Sequence, residues 1–369
     1  MPLAIYRKYR PTTFDDVIGQ DLIVHILQEA AKRGSLAHAY LFAGPRGTGK
    51  TTSARLIAKV ANCKTRSTDP KFRTSGEPCN QCDECRAIDD GRSLDVIEID
   101  AASNRGIDEI RNLKESVRLS PTTATHKVFI IDEAHMLTKE AFNALLKTLE
   151  EPPSHAIFIL ATTEIEKIPV TISSRTQQFY FKRVSLHSIV EKLNHIIKTE
   201  SLLVSHEALD LIAASAEGSF RDAESLLDQL ISFSGKNITL HDVESMVGKV
   251  GFEKLSKFVG FILESKLEET IESLSSIAEG GYNLVQFTKD VLQYLRRVAV
   301  LKFNPKMSKL FENELVADHL KQLIAHSTHF TDHHLKLIKQ LINAYSQMRY
   351  SQFPIIPLEV ALIENLKKQ

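Results

Sequence analysis

Excess charge of either sign is missing from this sequence: Lys plus Arg number 46 and Asp plus Glu number 46. Neutrality excludes a protein that coats nucleic acid through bulk positive charge, and leaves any DNA contact to a few positioned residues. Also missing is an apolar run near the roughly 18 residues that a membrane span requires, so no membrane contact is expected. The opening MPLAIYRKYRPTTF has basic residues with no apolar stretch behind them, unlike a secretory signal. A cytoplasmic protein is the expectation. Cysteine is scarce, and in a reducing compartment the four thiols read as metal ligands before disulfides. Repeats and low-complexity linkers are absent as well. With 43% hydrophobic residues over 369 positions, the chain can form two or three packed domains.

What is present is an alternation of apolar runs and amphipathic segments, the pattern of a parallel α/β sheet. Ala39 to Ala43, Asp95 to Ile99, Lys127 to Ile131 and Ala156 to Ala161 read as buried strands. Core-facing helical stripes are expected at Leu22, Ile23, Ile26, Leu27 and Ala30, at Ile107, Ile110, Leu113 and Val117, and at Phe142, Leu145, Leu146 and Leu149. Pro152 and Pro153 end the last of these. After about Phe181 the strand signal disappears and helical periodicity takes over, with Thr239 and Asp242 spaced as a capping box. The layout is an α/β domain over 1–180, a small helical domain over 181–245 and a helical domain over 246–369.

Gly44-Pro45-Arg46-Gly47-Thr48-Gly49-Lys50-Thr51 follows a strand and opens a helix, the two contexts a phosphate-binding P-loop requires. Glycines let successive N–H groups turn inward on phosphate oxygens, and the helix start adds partial positive charge. Lys50 is expected to reach the β- and γ-phosphates of ATP and Thr51 to ligand Mg2+, with Thr52 continuing the nucleotide-binding set. Val128-Phe129-Ile130-Ile131 delivers Asp132 and Glu133 at a strand's C-terminal end, where α/β sites lie. Asp132 suits magnesium and Glu133 a general base for water. Two acids after a strand more often mark only a helix start; paired with the loop, the functional reading wins. His135 has no independent claim and reads as structural or as a relay. A kinase needs a second substrate pocket, and no motif marks one.

Cys63, Cys79, Cys82 and Cys85 form C-x15-C-x2-C-x2-C. Two CxxC steps bring thiolates together, and four sulfurs suit a closed, structural tetrahedral zinc. An iron–sulfur cluster uses similar runs, without a redox motif to support it here. The polar segment 64–78 reads as a loop stapled by the metal.

These motifs together resemble the gamma/tau family of bacterial DNA polymerase III subunits, the AAA+ motor ATPases of the sliding-clamp loader. The resemblance is carried by Tyr6 to Pro11 with Phe14, Val17-Ile18-Gly19-Gln20, the loop at 44–51, the four cysteines and Glu98 to Ser103. It continues in Ile131-Asp132-Glu133 with His135, Phe142 to Pro153, Leu160 to Glu164, Ile172 to Arg175 and Gly218 to Asp222. It implies a P-loop AAA+ ATPase domain with an inserted zinc module (63–85), a helical lid and an all-α oligomerisation collar. It further implies that Thr163 senses the γ-phosphate, that Arg175 is an arginine finger for a neighbouring subunit's ATP, and that Arg221 senses nucleotide from the lid side. Arg10, Pro11, Val17 and Ile18 resemble the segment lining the adenine pocket. Ser103, Asn104 and Arg105 fall where this family faces DNA phosphates. Thr176 stands where the family commonly has cysteine after the finger.

The function implied is a motor that hydrolyses ATP to load the sliding clamp onto primer-template DNA. Its implied partners are delta- and delta-prime-type subunits and further copies of itself. No triad of metal-binding acids for nucleotide addition is present, so no polymerase site is expected in this chain. A non-hydrolysing stator subunit is the alternative from another class, and the retained Lys50, Thr51, Asp132 and Glu133 argue against it. A branch-migration AAA+ motor is a third reading, opposed by the cysteine module.

Overall fold

The computed structural model describes residues 3–104, 107–311, 315 and 317–367. The chain divides into two compact units. The first runs to Val184 and includes Gly218–Asp222; the second holds Ser185–Glu217 and the chain from Ala223 onward.

The first unit is built on five parallel strands, β1 (Ala39–Ala43), β2 (Val96–Asp100), β3 (Lys127–Asp132), β4 (Ala156–Thr162) and β5 (Gln177–Tyr180), ordered β2-β3-β4-β1-β5. β1 and β4 are buried at every position. Helices cover both faces, so the central strands are continuous apolar runs without polar alternation. Successive side chains feed two cores. Tyr40, Phe42, Val128 and Ile130 join one; Ala39, Leu41, Phe129 and Ile131 join the other. On the second face Phe129 stacks on Phe158 at 5.2 Å between centroids, a contact worth about 1 kcal/mol beyond the area buried.

Several expectations need correction. Leu22 and Ile26 of the expected stripe are exposed; helix Asp21–Arg33 buries the expected Ile23 and Leu27 together with Val24 and Ala31. The segment after Cys63 is no plain loop: it forms helices Lys64–Thr68 and Pro70–Arg73, the second opened by Asp69 accepting from the Lys71 and Phe72 amides. β2 starts one residue later than expected, at Val96; the fully buried Asp95 just before it still accepts the Val128 amide through its carbonyl, and its carboxylate accepts N–H donors from Thr122, Thr123 and Ala124 at 2.8–3.0 Å. β5 was not anticipated either. Only Phe179 of its four residues is buried, so it carries no apolar run.

Strand order positions the site. β4 lies between β3 and β1, so three adjacent C-terminal ends deliver the loop after Ala43, the Thr162–Thr163 pair and the Asp132–Glu133 pair along one sheet edge.

The second unit is helical, with one short parallel pairing of β6 (Leu203–Val204) and β7 (Asn237–Ile238), so strand structure does reappear after Phe181. Ser185 and Ser205 cap helices Leu186–Glu200 and His206–Ser215, and Thr239 and Asp242 form the expected capping box of Leu240–Val247. Beyond it, helices Phe252–Leu263, Leu267–Glu279, Leu284–Phe303, Ala317–His329, Asp332–Met348 and Ile355–Leu366 enclose a core including Phe258, Ile262, Phe287, Leu295, Leu341 and Leu358. No described helix is long and apolar enough to cross a membrane.

Candidate functional site

The loop after β1 wraps tightly because its glycines sit where side chains do not fit. A Cβ on Gly44 would lie 2.3 Å from the Phe181 carbonyl oxygen, and one on Gly47 1.9 Å from Ser219 Oγ. Val17 packs beside the loop, 3.7 Å from the Cβ position of Gly49, and is buried, whereas Ile18 is exposed. The loop is fastened to the first unit by Gln20, whose amide donates to Lys182 O at 2.8 Å and reaches Thr48 O at 3.5 Å. The Phe220 amide donates to Gly47 O at 3.2 Å. Lys50 is buried, its Nζ 2.7 Å from both Gly44 O and Pro45 O. Burial lowers its pKa, and the carboxylates of Glu133 and Asp132 act against that shift. Arg46 is exposed and Thr52 half-buried on the first helical turn.

From Thr51 a chain of polar contacts runs along the sheet edge. Thr51 Oγ1 donates to Asp132 Oδ2 at 2.8 Å. Asp132 Oδ1 accepts the Glu133 amide at 2.9 Å, and Thr163 Oγ1 donates to Glu133 Oε2 at 3.2 Å. Glu133 sits at φ 47°, ψ 44°, left-handed backbone that costs a non-glycine residue about 1–2 kcal/mol and concentrates at functional sites. His135 stands beside it, with Nδ1 3.1 Å from Thr162 Oγ1 and 3.5 Å from Glu133 Oε2. Its Nε2 is 3.2 Å from Glu164 Oε1. The ring thus lies between the carboxylates of Glu133 and Glu164. Sequence spacing gave His135 no such place, although its position two residues after the acid was a signal; Gln20 carried none beyond the turn it belongs to.

Cations gather on the other side of the loop. The Arg221 guanidinium lies over the Tyr6 ring at 5.3 Å. Burial lowers the pKa of Arg10, and the charges of Arg55 and Arg221 lower it further while Glu98 opposes them. Pro11 continues this segment, half-buried. Arg175 is not brought to this cluster. It precedes β5, whose Gln177 pairs with Tyr40 and whose Tyr180 pairs with Ala43, so it lies beyond the N-terminal end of that strand, with the strand's length of about 10 Å between it and the loop end. There its Nη2 is 2.7 Å from Glu150 Oε1 and its Nη1 donates to Thr171 O at 2.8 Å.

The four cysteine sulfurs lie within 4.8 Å of one another, and Cys79 and Cys85 are 4.0 Å apart. Tetrahedral zinc with sulfurs at about 2.3 Å separates them by about 3.8 Å. The donor set fits. Backbone amides of Cys79, Gln81 and Cys82 donate to the sulfurs of Cys63 and Cys79 at 3.3–3.4 Å, as thiolates require. A hydrogen bond from Cys85 pulls the Cys63 pKa down to about 4 and pushes Cys85 up. Near the end of β2, Asp100 accepts from the Ala102 amide and Ser103 Oγ, and Asn104 donates to Asp100 O; Arg105 lies outside the described residues.

Family models match nearly the whole chain. "DNA polymerase III, delta subunit" matches residues 19–185, "DNA polymerase III clamp loader subunit, ATPase lid domain" matches 188–236, and "DNA polymerase III subunits gamma and tau domain III" matches 238–367. DNA polymerase III subunit tau of Bacillus subtilis (strain 168) is 42% identical over 98% of this chain and 62% of its own length. Subunit tau of Escherichia coli (strain K12) is 41% identical over 82% of this chain and 46% of its own. Subunit gamma of Buchnera aphidicola subsp. Baizongia pistaciae is 37% identical over 89% of this chain and 87% of its own. The chain thus spans less than two thirds of the two tau relatives.

Proposed function

This chain belongs to the gamma/tau family of bacterial DNA polymerase III subunits, and from that premise we propose that it is an ATP-binding and ATP-hydrolysing motor of the clamp loader. The observation that carries the reading is the unbroken contact series Thr51–Asp132–Glu133–Thr163 beside the glycine loop and Lys50. The loop amides and Lys50 hold the triphosphate. Thr51 and Asp132 would hold Mg2+, which neutralises charge on the β- and γ-phosphates when bound. Glu133 accepts a proton from water as its oxygen attacks the γ-phosphorus, and the bond from that phosphorus to the β,γ-bridging oxygen breaks to release ADP. Thr163 fixes the Glu133 carboxylate toward the terminal phosphate. Arg10, Pro11, Val17 and Ile18 line the base side, and Arg221 answers the phosphates from the segment fastened to Gly47.

Three functional domains are proposed: the AAA+ ATPase domain over 1–180, the lid over 181–245 and the collar over 246–369. The exposed stripe of Ile356, Val360 and Ile363 on the last helix supports an oligomerising collar. Proposed partners are delta- and delta-prime-type subunits, further copies of this chain, the sliding clamp, and primer-template DNA through its phosphates, in the cytoplasm. The Cys63, Cys79, Cys82 and Cys85 set would bind one structural zinc. A stator reading is disfavoured, since such a subunit has no use for a complete Lys50–Thr51–Asp132–Glu133 set.

The Lys50→Ala variant tests the cradle. Loss of a buried cation that donates to phosphate oxygens is expected to weaken ATP binding by on the order of a hundredfold, read by fluorescent-nucleotide titration. Undiminished affinity would rule the cradle out.

A further inference from the structure

The zinc module touches more than itself. Glu77, two residues before Cys79, accepts the Phe14 amide at 2.8 Å, the Asp15 amide at 3.1 Å and the Gln28 side-chain amide at 2.7 Å. Four residues beyond the module's last cysteine, at the end of helix Asp83–Asp89, Asp89 accepts both bonds from Lys59 Nζ, at 2.7 and 2.8 Å, and the same ammonium reaches Thr12 O at 3.4 Å. Lys59 is 1% exposed and lies on helix Lys50–Asn62, which opens at the phosphate loop. Glu77 of the insertion therefore holds Phe14 and Asp15 directly, while Asp89, just beyond the insertion, holds the Lys59 ammonium that touches Thr12 O. Arg66 seats the module from below, donating to Ala31 O at 2.8 Å and to Glu77 O at 3.1 Å.

That segment joins Arg10 and Pro11 to Val17 and Ile18. Phe14 at its centre is fully buried and anchors it to the sheet, and the Val17 amide donates back to Phe14 O at 3.0 Å. Without Glu77 the Phe14 and Asp15 amides lose their acceptor, and the turn carrying Val17 onto the loop loses its fixed place. The turn meets the phosphate loop through an apolar contact of Val17, 3.7 Å from the Cβ position of Gly49, and neither Glu77 nor Asp89 bonds to residues 44–52 in any described bond, so the amides and Lys50 that would hold phosphate keep their own partners.

Resting on the nucleotide reading above, we propose that Glu77 is a positioning residue through which the zinc module sets the base-binding side of the ATP site, giving affinity for the nucleoside rather than for the phosphates. The module is then a specificity device and more than a stapled insertion. The Glu77→Gln variant puts an N–H2 group where amides donate. Its affinity for ATP and ADP is expected to fall together by roughly tenfold, with ATP preferred over GTP less strongly, while tripolyphosphate binds as in the wild type. Metal analysis is expected to find zinc unchanged at one per chain. Gln28→Ala, which removes the third donor to Glu77 and the same amide's 2.7 Å bond to Asp15 Oδ1 but leaves Glu77 and both backbone amides in place, is expected to shift affinity the same way by a smaller factor.

Each result decides. If both variants keep ATP affinity and base preference, Glu77 does not set the base side. If tripolyphosphate affinity or zinc content falls with nucleotide affinity, Glu77 merely holds the domain together and the proposal fails. A wild-type chain that binds no nucleotide would instead sink the underlying motor reading, which separates the two failures.

Discussion

Glutamine in place of Glu133 is expected to bind ATP as well as the wild type and to hydrolyse it about a thousandfold more slowly. The substitution keeps the side chain's length and its acceptor for Thr163 Oγ1, which lies 3.2 Å from Glu133 Oε2. It removes the only property that a base requires, a lone pair basic enough to take a proton from attacking water. Phosphate binding is left alone, because Lys50 and the loop amides are untouched. The backbone at this position is already left-handed, and glutamine meets the same strain as glutamate, so the variant is expected to fold normally. Equilibrium nucleotide binding and phosphate release, measured on one preparation, separate the two effects. Turnover within about threefold of wild type would mean that another group activates the water.

Arg175→Ala is expected to act differently, and only in the assembly. A guanidinium that neutralises charge on the transferring phosphoryl group from across an interface is worth about a thousandfold in turnover. Arg175 lies beyond the far end of β5 from its own loop, with about 10 Å of strand between them, and its guanidinium is held there by Glu150 rather than turned toward its own phosphate site. Its present partners, Glu150 and Thr171, are surface contacts that hold it at the domain's edge. An exposed ion pair of this kind contributes little, so releasing it to a neighbour's phosphate costs little. The isolated variant is expected to bind ATP normally, while the complex with clamp-loader partners, clamp and primed DNA loses turnover. Mixing the variant with wild-type copies should lower activity in proportion to the interfaces that lack the finger. An undisturbed rate in the reconstituted complex would remove Arg175 from the site.

The phosphate loop and the acid pair were legible because their chemistry is local: the spacing itself curls the loop, and a run of four apolar residues aims the acids. The cysteine set was legible for the same reason. What escaped depended on distance along the chain. β5 is an edge strand with Gln177 and Gln178 exposed, so it lacked the apolar run that marks its neighbours. Leu22 and Ile26 share the period of the core face, yet of that stripe the core takes Ile23 and Leu27 and adds Val24, leaving the Leu22–Ile26 flank exposed. Periodicity gives a helix its stripe and leaves open which flank meets the core. The Asp69 cap and Pro70 were readable local signals, obscured by the polar composition around them. Glu77 reaching Phe14 across 63 positions could not be read from any spacing, and neither could Gln20 reaching Lys182.

The alignment of the sheet edge carries the account. Loop, threonine and acids meet only because β4 separates β1 from β3, and chemistry on a triphosphate requires all three at once. Calorimetric titration of the purified chain with ATP and Mg2+ tests this most directly. Saturable binding at one site per chain, competed by ADP, is the expected result; a chain that takes up no adenine nucleotide, alone or assembled, would contradict it.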